Sequence, residues 1–170
     1  MIESKISFNN FKGKLYITSA PGYPLMKRDH IIEDLEEVSE LNPDKIIVLL
    51  ANADLIYYYS TISLLFDIYK QLKIPYIHFP IGDFGVPNNL NRFNSLVRVI
   101  VSSLKEGDVL IHCAAGKGRS GLLAACILVF GGTEAGKAIR YIRMKRLGAI
   151  ETKAQEDFIY EYEQFLFDSN

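Results

Sequence analysis

The chain has 170 residues, 49% apolar and 23% charged, the composition of one ordinary globular domain, and no Pro-, Gly- or Ser-rich linker separates a second. Nineteen Lys and Arg against 20 Asp and Glu leave a formal charge of −1, so the basic footprint of a general nucleic-acid binder is missing. Two cysteines make no disulfide framework, and with only three histidines (His30, His78, His112) neither a metal site nor any other cofactor is expected. The opening MIESKISFNN carries Glu3 and no apolar core, so it does not read as a secretory signal. The longest apolar run, 122–130, is too short for a bilayer, and a cytoplasmic protein without a membrane segment is expected.

In chain order, 15–18 reads as a strand closed by Pro21-Gly22, and 29–41 as an amphipathic helix stopped by Asn42-Pro43. The run KIIVLL, 45–50, has the composition of a strand buried on both faces, as in a parallel sheet. A helix over 54–72 follows, then a short strand at 76–79 that enters the loop PIGDFGVP. A helix at 89–104, a buried strand at 108–112 and helices at 118–130, 133–146 and 152–167 complete the series. Alternating strands and helices predict an α/β fold: a single domain with a central, mainly parallel sheet flanked by helices.

Chemistry concentrates in HCAAGKGRSG, between the last strand and the next helix. Small residues at Ala114, Ala115, Gly116 and Gly118 let successive amides curl around one point, and with the helix N-terminus they form a binding place for a tetrahedral dianion. Arg119, six residues after Cys113, supplies a planar fork for two of its oxygens, and Lys117 adds a cation at the rim. A free thiol is only about 3% ionised at pH 7, and this positive field is expected to raise the thiolate fraction. A thiolate beneath a bound phosphate is suited to in-line attack on phosphorus.

This segment resembles the active-site signature of the cysteine-dependent protein tyrosine phosphatases, His-Cys-five residues-Arg-Ser/Thr. FPIGDFGVP resembles the general-acid loop of the dual-specificity class, with Asp83 in the acid's place, and 148–155 resembles the loop whose glutamine positions water. SAPGYP (19–24) and the Gly-Ala-Ile segment are similar to kinase-associated phosphatase and its bacterial relatives. The resemblance implies a phosphatase of phosphotyrosine, and of phosphoserine or phosphothreonine through a shallower pocket. It implies Cys113 as nucleophile, Arg119 and the amides of 114–119 as the phosphate cradle, and Asp83 as acid. Ser120 would donate to the sulfur, Gln155 would place water and His112 would support the loop. The departure is Glu151, where the family usually has a second glutamine.

Plainer readings exist for several of these residues. Asp83 suits a turn, Thr152-x-x-Gln155 is a capping box, and Cys126 in LLAACILVF is core filler. Asp108, the nearest rival acid, starts the buried strand at the end far from Cys113. The basic set Lys137, Arg140, Arg143, Lys145 and Arg146 reads as a solvated helix face, its functional alternative being recognition of an acidic or multiply phosphorylated substrate. Tyr57-Tyr58-Tyr59 spans three helix faces and is assigned no function. Lys117 is shared with phosphoinositide phosphatases, but these have a second lysine where this chain has Ala114. A phosphorylated protein is therefore the expected partner. The alternatives are an inositol phosphate or phosphoinositide phosphatase, a phosphopeptide-binding module with weak turnover, or rhodanese-like sulfur transfer.

Overall fold

The computed structural model describes residues 3–8 and 11–169. Its strands are β1 (Glu3–Ser7), β2 (Lys14–Thr18), β3 (Lys45–Val48), β4 (Tyr76–His78) and β5 (Val109–His112), in the order β1-β2-β5-β3-β4. All neighbours run parallel except β1, which pairs antiparallel with β2. The helices are α1 (Arg28–Leu41), α2 (Asn52–Tyr59), α3 (Leu64–Gln71), α4 (Leu90–Glu106), α5 (Gly118–Phe130), α6 (Ala135–Lys145) and α7 (Lys153–Asp168). None of the described helices is long and apolar enough to cross a membrane.

Alternation along the strands divides the core. Leu15, Ile17, Ile47, Val109 and Ile111 face the side covered by α4–α7, while Tyr16, Ile46, Val48 and Leu110 face α1–α3. Both faces are covered, which is why KIIVLL and VLIH carry almost no polar residue. Helix α5 is buried nearly throughout, and Cys126 sits fully buried within it, as core filler would. Thr18 and Val48 flank His112 in register, so the C-terminal ends of the three central strands lie side by side. In an open parallel sheet that edge is where loops gather around a ligand.

Two elements differ from the sequence expectation. The helix expected over 54–72 is two helices, because Ser60 turns left-handed (φ 64°) and the Thr61 hydroxyl accepts from Leu64 N–H. Short hydroxyl side chains compete with the helical ladder there, and β-branched Thr61 and Ile62 reinforce the break. Strand β1 was not foreseen, since Ile6 is its only large buried apolar side chain.

Candidate active site

The loop from Cys113 to Lys117 leaves β5 with its carbonyls turned outward. His112 Nδ1–H donates to Cys113 O (3.2 Å), Ala20 N–H to Ala114 O (2.8 Å) and Arg146 Nη2–H to Ala115 O (2.9 Å). Arg146 Nε–H also donates to Gly116 O, and Gly121 N–H to Lys117 O (2.9 Å). In a trans peptide the C=O of one residue and the N–H of the next point in opposite directions. Five carbonyls taken from outside therefore aim the amides of Ala114, Ala115, Gly116, Lys117 and Gly118 inward. Gly116 is at φ +66°, and a Cβ there would lie 2.1 Å from Thr18 O, so only glycine closes this turn.

His112 is fully buried, and because a carbonyl only accepts, its proton lies on Nδ1. Nε2 is then free to accept from Tyr69 O–H at 3.0 Å. Burial, aided by the Arg119 charge, pushes the imidazole down to about 4 despite the opposing bond to Cys113 O, so it is neutral at pH 7. It supports the loop as a hydrogen-bonding group.

Arg119 is the largest fully buried side chain, 2% exposed. Its Nη1 donates to Asp54 Oδ2 (2.5 Å) and to Ile81 O (2.9 Å), and its Nη2 lies 3.0 Å from Asp83 Oδ1. Burial by itself would lower this guanidinium's pKa, but Cys113, Asp54 and Asp83 around it raise it above its ordinary value. Cys113 is itself buried at the end of β5.

Asp83 arrives on an extension of β4. Phe79 and Ile81 N–H groups donate to Val48 O and Leu49 O, and Gly85 N–H closes a turn onto Gly82 O. The turn role and the approach to Arg119 belong to the same four residues. Asp108 lies at the opposite end of its strand, accepting from Lys14 N–H.

Gln155 is fully buried. Its Oε1 accepts from Glu151 and Thr152 N–H (2.9 and 3.4 Å), and its Nε2–H donates to Gly85 O (3.2 Å). The capping box is thus real, and with Thr152 Oγ1–H bonded to Phe84 O (3.3 Å) it fastens the Asp83 turn to α7. The Glu151 carboxylate lies against the start of α5, where a Cβ on Gly118 would be 2.5 Å from Oε2. Ser120 Oγ is buried without a hydrogen-bond partner among the described residues, so its bond to the Cys113 sulfur is not formed in this arrangement.

Three participants escaped the sequence reading. Asp54, the third residue of α2, is tied to Ala51 N–H and pairs with Arg119 across 65 positions. Tyr58 lies one turn beyond Asp54 and meets the Tyr23 ring edge-on at 6.0 Å. Its phenol pKa is raised by burial and by Tyr23, Asp54 and Asp83, with Arg119 opposing. Arg146 corrects an expectation: it is not part of a solvated face but is buried, with its guanidinium under the loop. Arg143 remains exposed on that face, donating to Ile150 O and pairing with Glu156.

Several known proteins are similar to this chain in sequence or in fold. Kinase associated phosphatase, in a crystal structure with its catalytic-site cysteine replaced by serine, superposes with a TM-score of 0.86 at 28% identity, covering 98% of this chain and 96% of that one. Human cyclin-dependent kinase inhibitor 3 is 28% identical over 163 residues, 94% of this chain and 74% of that protein. Protein tyrosine phosphatase domain-containing protein 1 of Danio rerio is 36% identical over 101 residues, 59% of this chain, which spans only 14% of that relative's length. The fold is that of the protein tyrosine and dual-specificity phosphatases. Residues 4–137, from β1 into α6 and including the whole phosphate loop, match the family model of cyclin-dependent kinase inhibitor 3, and the chain belongs to that family.

Proposed function

We propose that the chain is a phosphatase of phosphoproteins, acting on phosphotyrosine and on phosphoserine or phosphothreonine through a cysteinyl-phosphate. The Cys113 sulfur attacks phosphorus, and the ester bond to the leaving oxygen breaks in line. Arg119 and the amides of 114–119 hold the three equatorial oxygens while charge redistributes. Asp83 gives its proton to the leaving oxygen, then takes one from the water that attacks the cysteinyl-phosphate and restores the thiolate. Ser120, with an unused hydroxyl beside the loop, and Gln155, which holds the Asp83 turn, serve the second half of the cycle.

The observation that carries this reading is the 3.0 Å contact between Asp83 and Arg119, which brings the candidate acid over the phosphate loop from 36 residues away. The family relationship and the names of the relatives, a kinase associated phosphatase among them, support a phosphoprotein as substrate.

Turnover of para-nitrophenyl phosphate is the direct test. Cys113→Ser should fall below about 1% of the original kcat while still binding vanadate, because the loop keeps its amides and Arg119. Retained turnover in that variant, or none in the folded and reduced protein, overturns the assignment.

A further inference from the structure

Gly118, the first residue of α5, brings one of the inward amides to the phosphate loop, and its missing side chain admits two polar groups from the turn that enters α7. A Cβ there would lie 2.5 Å from Glu151 Oε2, and 2.9 and 3.0 Å from Gln155 Nε2 and Oε1. Gln155 is fully buried, and both ends of its amide are bonded. Glu151 is different. Its N–H donates to Gln155 Oε1 (2.9 Å), a bond that any residue except proline would supply. Its side chain is exposed, and the carboxylate forms neither an ion pair nor a hydrogen bond among the described residues.

The cations of the loop leave this charge uncovered. Lys117 lies along the Gly148 turn, its Cδ, Cε and Nζ 3.6, 3.9 and 3.9 Å from the Cβ position of that glycine. Arg119 is divided between Asp54 and Asp83. An anion held by the Gly118 N–H and the Glu151 carboxylate therefore have one residue as common neighbour, which puts them within the ~8 Å screening length of physiological salt. The amides and Arg119 attract the anion, and Glu151 subtracts from that attraction in proportion to the anion's charge. A cradle without this opposing charge would keep hold of the dianion that it had just produced.

We infer that Glu151 sets how tightly the phosphate loop holds an anion, weakening dianions more than monoanions, and so governs how readily inorganic phosphate leaves. It acts as a specificity-determining residue and takes part in no bond making. The inference rests on the phosphatase reading for the identity of the departing anion; the repulsion itself needs only an anion in the loop.

The test is inhibition of para-nitrophenyl phosphate turnover, at neutral pH, by sulfate, methanesulfonate and inorganic phosphate. Sulfate is a dianion, and methanesulfonate is a monoanion with three oxygens in the same arrangement. Glu151→Gln, close to glutamate in size, should lower Ki for sulfate and phosphate by about tenfold and for methanesulfonate by about threefold, because the logarithm of the effect follows the ligand's charge. Glu151→Asp keeps the charge and should stay within about twofold of the wild type. Unchanged or raised Ki values in Glu151→Gln overturn the inference. So does an equal factor for the two charges, or a shift in Glu151→Asp as large as in Glu151→Gln, since either marks a structural effect. Calorimetric titration of the same anions into Cys113→Ser, with and without Glu151→Gln, separates the two readings. Tightening graded by charge, without turnover by the wild type, keeps the role of Glu151 and removes the phosphatase assignment; turnover with no tightening in either assay does the reverse.

Discussion

Beneath the phosphate loop, Arg146 supplies donors to the carbonyls of Ala115 and Gly116 and reaches Ile17 O (3.4 Å) and Ser4 Oγ (3.3 Å). A buried carbonyl stripped of its donor costs about 1–3 kcal/mol, and here the loop can relieve the loss by rotating peptides, which would turn inward-facing amides away from the phosphate. Arg146→Met should therefore lower kcat/KM by about 100-fold, equivalent to ~2.7 kcal/mol. Competitive inhibition by vanadate should weaken in parallel, since both read the same amides. Arg146→Lys, with the charge but not the fork, should recover part of each. Intact vanadate binding in folded Arg146→Met would confine the residue to stability. Neither Arg146 nor Asp54 could be singled out from sequence: their partners lie 30 and 65 positions away, and each sits in a helical segment where an exposed charge is ordinary. Cys113 and Arg119 were legible because signature, strand and helix start all fall within one short segment.

At the scale of elements, the turn bearing Asp83 is closed by its own bond from Gly85 N–H to Gly82 O and is fastened from outside by the start of α7. Thr152 and Gln155 bind Phe84 O and Gly85 O, so the acid's position depends on a helix 70 residues further along the chain. Gln155→Leu leaves Gly85 O without that donor and should loosen the turn. Through the placement of the acid, its kcat should fall about tenfold on alkyl phosphates, whose leaving oxygen needs a proton, and much less on aryl phosphates with acidic phenols, whereas a role confined to the shared hydrolysis step would lower both alike. Equal losses on both would separate Gln155 from the acid's placement. The alternation of strands and helices was readable because both faces of the sheet are buried, giving unbroken apolar runs. The break at Ser60 was not, because apolar residues continue at helical spacing through Leu64 and Leu65. Strand β1 has one inward apolar residue and owes its conformation to pairing with β2, a long-range cause that leaves no local pattern.

For the molecule as a whole, the neutral imidazole of His112 links the site to global stability. Its pKa is lowered from 6.5 to about 4 in the folded chain, so the unfolded chain takes up its proton first as pH falls. Its contribution is complete above pH 6.5 and is lost progressively between 6.5 and 4, reaching about 3 kcal/mol. Denaturant midpoints should decline across that window, and His112→Gln, though less stable throughout, should decline with a shallower slope. Identical slopes would place the acid sensitivity elsewhere.

The contact of Arg119 with two carboxylates also bears on how a chain of near-zero net charge handles anions. Asp54 is anchored behind the guanidinium, while Asp83, 55% exposed, occupies the arm that faces solvent. An entering anion meets a cation that already has company and must take Asp83's place on Nη2. A small monovalent ion gains too little from that exchange, whereas a phosphate ester can bridge the guanidinium and the inward amides at once. On the proposed mechanism, Asp83 is then released from its ion pair by the arrival of the group it would protonate, so that loading the site and freeing the acid become a single event.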